Sequence, residues 1–215
     1  MADAAQRLLF AEAALALAAE RGWRGTTVFD IAARAALPVA DLAPLTPADA
    51  FDCVDELMDR AAAVGIIPPD LSMSPRERVF DAAMRRFEAM QARRAGVLAL
   101  EAALDRDPAA RAAAFARAGR TARWLLALAG EADEGVLGAS RAQVLAFALG
   151  QAKAAWRRAD AGDYARTMAA LDKALRRNEC LFDQIGKFAG AFRSPRPQAP
   201  PAPAGEGPPE DRPER

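Results

Sequence analysis

Apolar residues along most of this chain recur at spacings of three and four rather than two, the pattern of amphipathic helices from end to end. A first helix is predicted over 3–21, with Leu8, Phe10 or Ala11, Ala14, Leu15 and Ala18 on one side and Gly22 placed to end it in a left-handed cap. Thr26 or Thr27 then caps a second helix whose inward stripe is Val28, Ile31, Ala32 and Ala35. Leu37-Pro38 breaks it, because the proline ring disfavours a helical residue before it. A short third helix is predicted over 39–44 and a longer fourth over 47–64, with Phe51, Val54, Leu57, Met58 and Ala61 inward. After the loop "GIIPPDLSM", Ser74 caps a fifth helix, with Pro75 at its first position and Glu77 completing a capping box. Its apolar face is Phe80, Ala83, Met84, Phe87 and Met90. Further helices are predicted at about 95–105, 108–129 and 140–159. No segment carries a strand signal, so the predicted fold class is all-α.

The last helix is the most regular. From Tyr164, positions 168, 171, 175, 178, 182 and 185 alternate four and three apart and hold Met, Leu, Leu, Asn, Phe and Ile, a heptad-type seam interrupted once at Asn178. Two readings fit its first half. Tyr164, Met168, Leu171 and Leu175 form a subunit interface in a four-helix bundle with a second copy, or they pack within one chain. The continuation "NECLFDQIGKFAGAF", 178–192, puts Leu181, Phe182, Ile185, Phe188, Ala189 and Phe192 on one face, fit for docking on its own body or for peripheral contact with a membrane. Beyond it, 194–215 is too rich in proline and too poor in apolar groups to pack, and is predicted to be disordered. The resulting organisation is a head over 1–64, a body over 74–193 and a tail.

Composition narrows the chemistry. A chain of 215 residues, 52% hydrophobic and 27% charged, supports one good core or two small ones. Cys53 and Cys180 lie far apart and outside paired-ligand spacing, which argues against a disulfide framework or zinc knuckle and suits a reducing cytoplasm. No apolar run approaches the roughly 20 residues of a membrane-spanning helix, and no basic flank precedes a signal core, so a cytoplasmic protein is expected. Histidine is absent, which removes the commonest general base and metal ligand. There is no glycine-rich phosphate loop, nucleophile elbow or cysteine pair. No catalytic function, cofactor or metal is predicted.

Charge is unevenly distributed. Residues 1–60 hold five arginines against ten carboxylates, a net −5, whereas 76–123 hold eleven arginines against six, a net +5. The basic run fits contact with the acidic head of the same or another subunit, an anionic ligand, or a solvated helix face.

At "ERGWRGTTVFDIAARAAL" the chain resembles the TetR family, in which a three-helix DNA-binding head precedes an all-helical ligand-binding and dimerisation body. Order and spacing match over residues 5 to about 192. The resemblance implies a homodimer, DNA contacts at Thr26, Thr27, Val39, Ala40 and Ala43, and a small apolar ligand among Phe80, Met84, Phe87, Trp124, Phe147 and Trp156. Those six also fit an ordinary core. Where the family's reading helix carries glycine, threonine or serine, an aromatic, a histidine and a following lysine, this chain has "PVADLAPLTPAD". No arginine, lysine, asparagine or glutamine lies between Val39 and Val54, so the side chains that read base edges are missing and DNA binding is expected to be weak or absent. The C-terminal region "SRAQVLAFALGQAKAAWRRADAGDYARTMAALDKALRR" resembles that of ubiquinone-biosynthesis accessory proteins, relatives of TetR that bind isoprenoid lipids. The matching features are Arg141, Trp156, Asp160, Asp163, Thr167, Leu171 and Asp172, with "SPRERV" upstream. Two functions are therefore expected: a one-component transcriptional regulator with an apolar pocket, or a lipid-binding accessory protein that has abandoned DNA.

Overall fold

The computed structural model describes residues 2–65, 70–132, 134–160 and 162–192, without the side chains of 179–192. Eight α-helices follow one another: α1 (Ala4–Arg21), α2 (Val28–Ala35), α3 (Ala50–Ala63), α4 (Pro75–Ala92), α5 (Arg94–Leu104), α6 (Pro108–Leu128), α7 (Gly135–Arg158) and α8 (Ala165–Phe192). The described residues contain no strand, and the fold class is all-α. The predictions for the 194–215 tail and for the apolar side chains of 179–192 lie outside the described residues.

Helix starts follow the capping chemistry in the sequence. The Thr27 hydroxyl accepts from the Asp30 N–H (3.2 Å), and the Asp30 carboxylate accepts from the Thr27 N–H (2.8 Å) and hydroxyl (2.6 Å). Bonds from Thr27, and then from Arg21, lower the Asp30 pKa to about 2. Ser74 and Glu77 repeat the arrangement at α4. Such a cap is worth about 1 kcal/mol. Ser140 was expected to start a helix, but its hydroxyl instead donates to the Val136 carbonyl (2.9 Å) from within α7, which begins five residues earlier.

The largest departure is in the segment expected to be the third helix. Val39–Leu42 is a four-residue 3-10 turn, and a second one, Pro47–Asp49, precedes α3. Leu42 and Leu45 are buried and hold the segment down, while Asp49 accepts from the Thr46 N–H (2.8 Å) and hydroxyl (2.6 Å). Pro44 and Pro47 each lack an amide donor, so a hydrogen-bonded helix cannot run through 39–49.

One contiguous apolar core joins the expected head and body, from Phe10 on α1 to Leu175 on α8. α1 and α5 meet at Gly96, where an added Cβ would lie 2.4 Å from the Leu15 carbonyl oxygen. Trp156, 1% exposed, closes the far side. Its indole N–H donates to Gln91 (2.8 Å), and the Arg94 guanidinium stacks on its ring at 4.6 Å while donating to the Trp156 and Ala159 carbonyls that end α7.

α8 folds back on α7, and the seam is largely internal. Leu171 (0% exposed) and Leu175 are buried in the single chain, Tyr164 is half-buried, and Met168 is exposed. Of the two readings of this seam, packing within one chain accounts for Leu171 and Leu175, whereas Tyr164 and Met168 keep exposed surface.

Candidate ligand site and head surface

The head surface offers little to a nucleic acid. Val39, Ala40, Asp41, Ala43 and Pro44 are exposed, none of their side chains is a hydrogen-bond donor, and one is an anion. Thr26 is buried and Thr27 has its hydroxyl committed to Asp30, so neither is placed to meet a phosphate as the resemblance implied. A four-residue turn also presents barely one helical turn to a groove that admits a full helix.

A cavity of about 140 Å³ lies between α3, α4, α5, α6 and α7 and opens to the surface beside Gly150. Val54, Met58, Phe87, Met90, Leu100 and Leu149 supply apolar wall, and Ala118, Ala146 and Gly150 leave the space by being small. Polar side chains interrupt this wall: Asp55 from α3, Arg86 from α4, Arg117 and Thr121 from α6, and the Glu101–Lys153 pair (2.5 Å).

Arg86 and Arg117 are 9% and 7% exposed, and their partners come from the head. The Arg86 Nη2 donates to Asp55 (2.6 Å) and its Nε to Asp59 (2.7 Å); the Arg117 Nε reaches the other Asp55 oxygen at 3.2 Å. The Thr121 hydroxyl donates to Asp59 (3.0 Å), and the Trp124 indole N–H to the Asp59 carbonyl (2.9 Å). Burial by itself would lower the Arg86 pKa, but two carboxylates outweigh it and the net direction is up. Asp59 is also pushed up, first by burial, with Asp55 adding to it, because it faces one cation where Arg86 faces two anions. Outside this cluster Arg93 pairs with Glu12 and Arg120 with Asp52. The basic body thus meets the acidic head of its own chain, one of the alternatives its charge pattern left open. Cys53 is buried, which raises its thiol pKa to about 11 and keeps it protonated at neutral pH.

Of the six side chains expected around a ligand, Phe87 lines the cavity. Met84 and Trp156 are buried in the core and Phe80 is half-buried. Phe147 is 64% exposed on the outer side of α7, and Trp124, 41% exposed, faces α3 across a polar cleft rather than the cavity. Sequence reasoning passed over Asp55, Arg86, Arg117 and Thr121. One signal was available: Arg86 lies on the same side of its helix as Val79, Ala83 and Met90, a charge inside an apolar stripe.

No family model, curated protein or solved structure matches this chain.

Proposed function

We propose that this protein is a small-ligand-binding homodimer of TetR-like architecture whose head does not read DNA. The observation that carries the reading is the partly open apolar cavity, walled in part by the arginines that tie α3 to α4 and α6. An engineered dry cavity of about 150 Å³ takes up benzene, so 140 Å³ suits a ligand the size of one aromatic ring. That size favours this reading over an isoprenoid-binding accessory protein, whose ligand carries a longer chain. No helix among the described residues is long and apolar enough to cross a membrane.

Absence of base-reading side chains leaves only phosphate attraction, which falls steeply with salt. DNA binding measured by fluorescence anisotropy is expected to be micromolar or weaker at physiological salt and to show no sequence preference. Nanomolar, sequence-selective binding there would overturn this part of the reading.

For the dimer, the outward face of α7 replaces the α8 seam. Val136, Ser140, Gln143, Val144, Phe147, Gly150, Gln151 and Ala154 share that face, which carries no charge until Arg158 at the end of the helix, in a chain where 27% of residues are charged. A two-fold axis at Phe147 would set Gln143 against Gln151 of a second copy and Val144 against Gly150, where a Cβ meets nothing within 4 Å. Phe147→Glu is expected to give well-folded monomers in analytical ultracentrifugation from a wild type that sediments as a dimer. A wild-type monomer, or a variant that stays dimeric, removes this interface.

A further inference from the structure

We infer that the cavity is built for a small aromatic carboxylate, its ring among the apolar wall residues and its anionic group on Arg117. This rests on the cavity reading above and names the ligand class. Both buried guanidiniums line the cavity, but their donors are committed differently. Arg86 uses all three nitrogens, on Asp55, Asp59 and, weakly, the Met90 sulfur (3.3 Å). Arg117 uses Nε alone, at 3.2 Å. A guanidinium carries five N–H donors, so four on Arg117 have no acceptor.

Arg117 is nonetheless more than nine-tenths buried, and neither of its Nη nitrogens is among the sealed, unpartnered polar atoms. Those donors therefore reach accessible space, and Arg117 borders two such spaces. Arg117 forms the partition between the cavity and a polar cleft of about 360 Å³ that also contains Asp52, Asp55, Glu56 and Asp59. The cleft sets Arg7, Arg60, Arg117 and Arg120 against four carboxylates and has little apolar wall for a ring; the cavity side offers an apolar wall with Arg86, Arg117 and Lys153 against Asp55 and Glu101. The guanidinium lies over the Phe51 ring at 5.3 Å, which restricts its orientation. Two free Nη groups on a fixed plane match the two oxygens of a carboxylate, the geometry in which arginine binds most strongly.

The same contact links the ligand to the head. Asp55 accepts from Nε while the incoming carboxylate takes the Nη groups, so the two anions lie on one guanidinium and the ligand acts on the bond that holds α3 to α6 through their repulsion.

Titration calorimetry on the full-length protein with benzoate, benzamide and toluene tests the assignment, alongside Arg117→Met and the cavity-filling Ala146→Phe. Benzoate is expected to bind at least tenfold more tightly than its neutral isostere benzamide. Arg117→Met should remove that preference and leave toluene binding unchanged, and Ala146→Phe should abolish binding of all three. Benzoate binding no tighter than benzamide in the wild type, or equally tight in Arg117→Met, overturns the carboxylate assignment while toluene binding still upholds the cavity. If no probe binds, the small-ligand reading itself falls with it. The wild-type comparison of benzoate with benzamide decides the point even if Arg117→Met does not fold.

Discussion

Replacing Arg86 with methionine is expected to lower the unfolding free energy by about 3–5 kcal/mol, read as a shift of the urea midpoint at unchanged slope. The side chain is 9% exposed and is the shared partner of Asp55 and Asp59, so its removal leaves two carboxylates side by side at the junction of α3, α4 and α6. The loss is larger than an exposed ion pair would cause, which is worth about 0–1 kcal/mol, because neither carboxylate can recover full hydration in place. It does not measure a net benefit of the cluster. Replacing Arg86, Arg117, Asp55 and Asp59 together by apolar residues of similar volume should recover most of the stability, since no buried charge is then left unpaired and burying charges costs about as much as pairing them returns.

The same cluster gives the deficit a pH dependence of known sign. Asp59 in the folded protein sits above its ordinary value of 3.8, chiefly through burial, so the folded state holds that proton more tightly than the unfolded chain. The stabilisation from this proton is complete below about 3.8 and is lost as pH rises through the raised value. Without the Arg86 charge, Asp59 shifts further in the same direction. The Arg86→Met deficit should therefore be greatest near neutral pH and shrink on acidification. A deficit that grows toward acid would contradict the assigned role of Asp59.

Gly96→Ala is expected to destabilise the protein by roughly 3 kcal/mol, the upper end of overpacking costs, although alanine is the better helix former by about 1 kcal/mol. Position 96 lies in the first turn of α5, and nothing about its own backbone demands glycine. A Cβ there would sit 2.4 Å from the Leu15 carbonyl oxygen and 2.9 Å from its carbon. Those are backbone atoms inside α1 and have no rotamer to change, so the two helices must separate along their length. Thermal unfolding of Gly96→Ala and of Gly150→Ala makes the comparison direct. Gly150 faces open space, so its substitution should be neutral or stabilising. Equal effects at both positions would mean that α1 and α5 do not meet as closely as described.

Local chemistry was readable in advance wherever it depended on residues a turn apart. The Thr27–Asp30 and Ser74–Glu77 caps, the proline break after Leu37, and the inward stripes of the helices through Ile31, Val54, Met58, Phe87 and Leu171 all fell where sequence spacing placed them. The reading segment shows the limit of that approach. Its lack of base-reading donors was plain in the residues 39–49, but its collapse into two 3-10 turns depended on Leu42 and Leu45 finding the core beneath them.

For the site, the residues expected from aromatic content were mostly the wrong ones to watch. Trp124 and Phe147 satisfied the periodicity of their helices and still ended away from the cavity, because which side of a helix faces a cavity is set by its neighbours. Arg117 carried no signal of its own.

By itself the sequence determined an all-helical chain, most of its helix starts and stops, the lack of base-reading side chains over 39–54, and the opposite charges of 1–60 and 76–123. Each of these depends on interactions within a few residues or on composition alone. Only the tertiary structure decided that those charges meet inside one chain, that Leu171 and Leu175 are buried within that chain, and that Arg86 and Arg117 border a cavity the size of an aromatic ring. Each of those depends on side chains brought together from distant positions by packing, 27 apart for Arg86–Asp59 and 81 for Arg93–Glu12, where burial makes a charge or a missing methyl count for several kcal/mol.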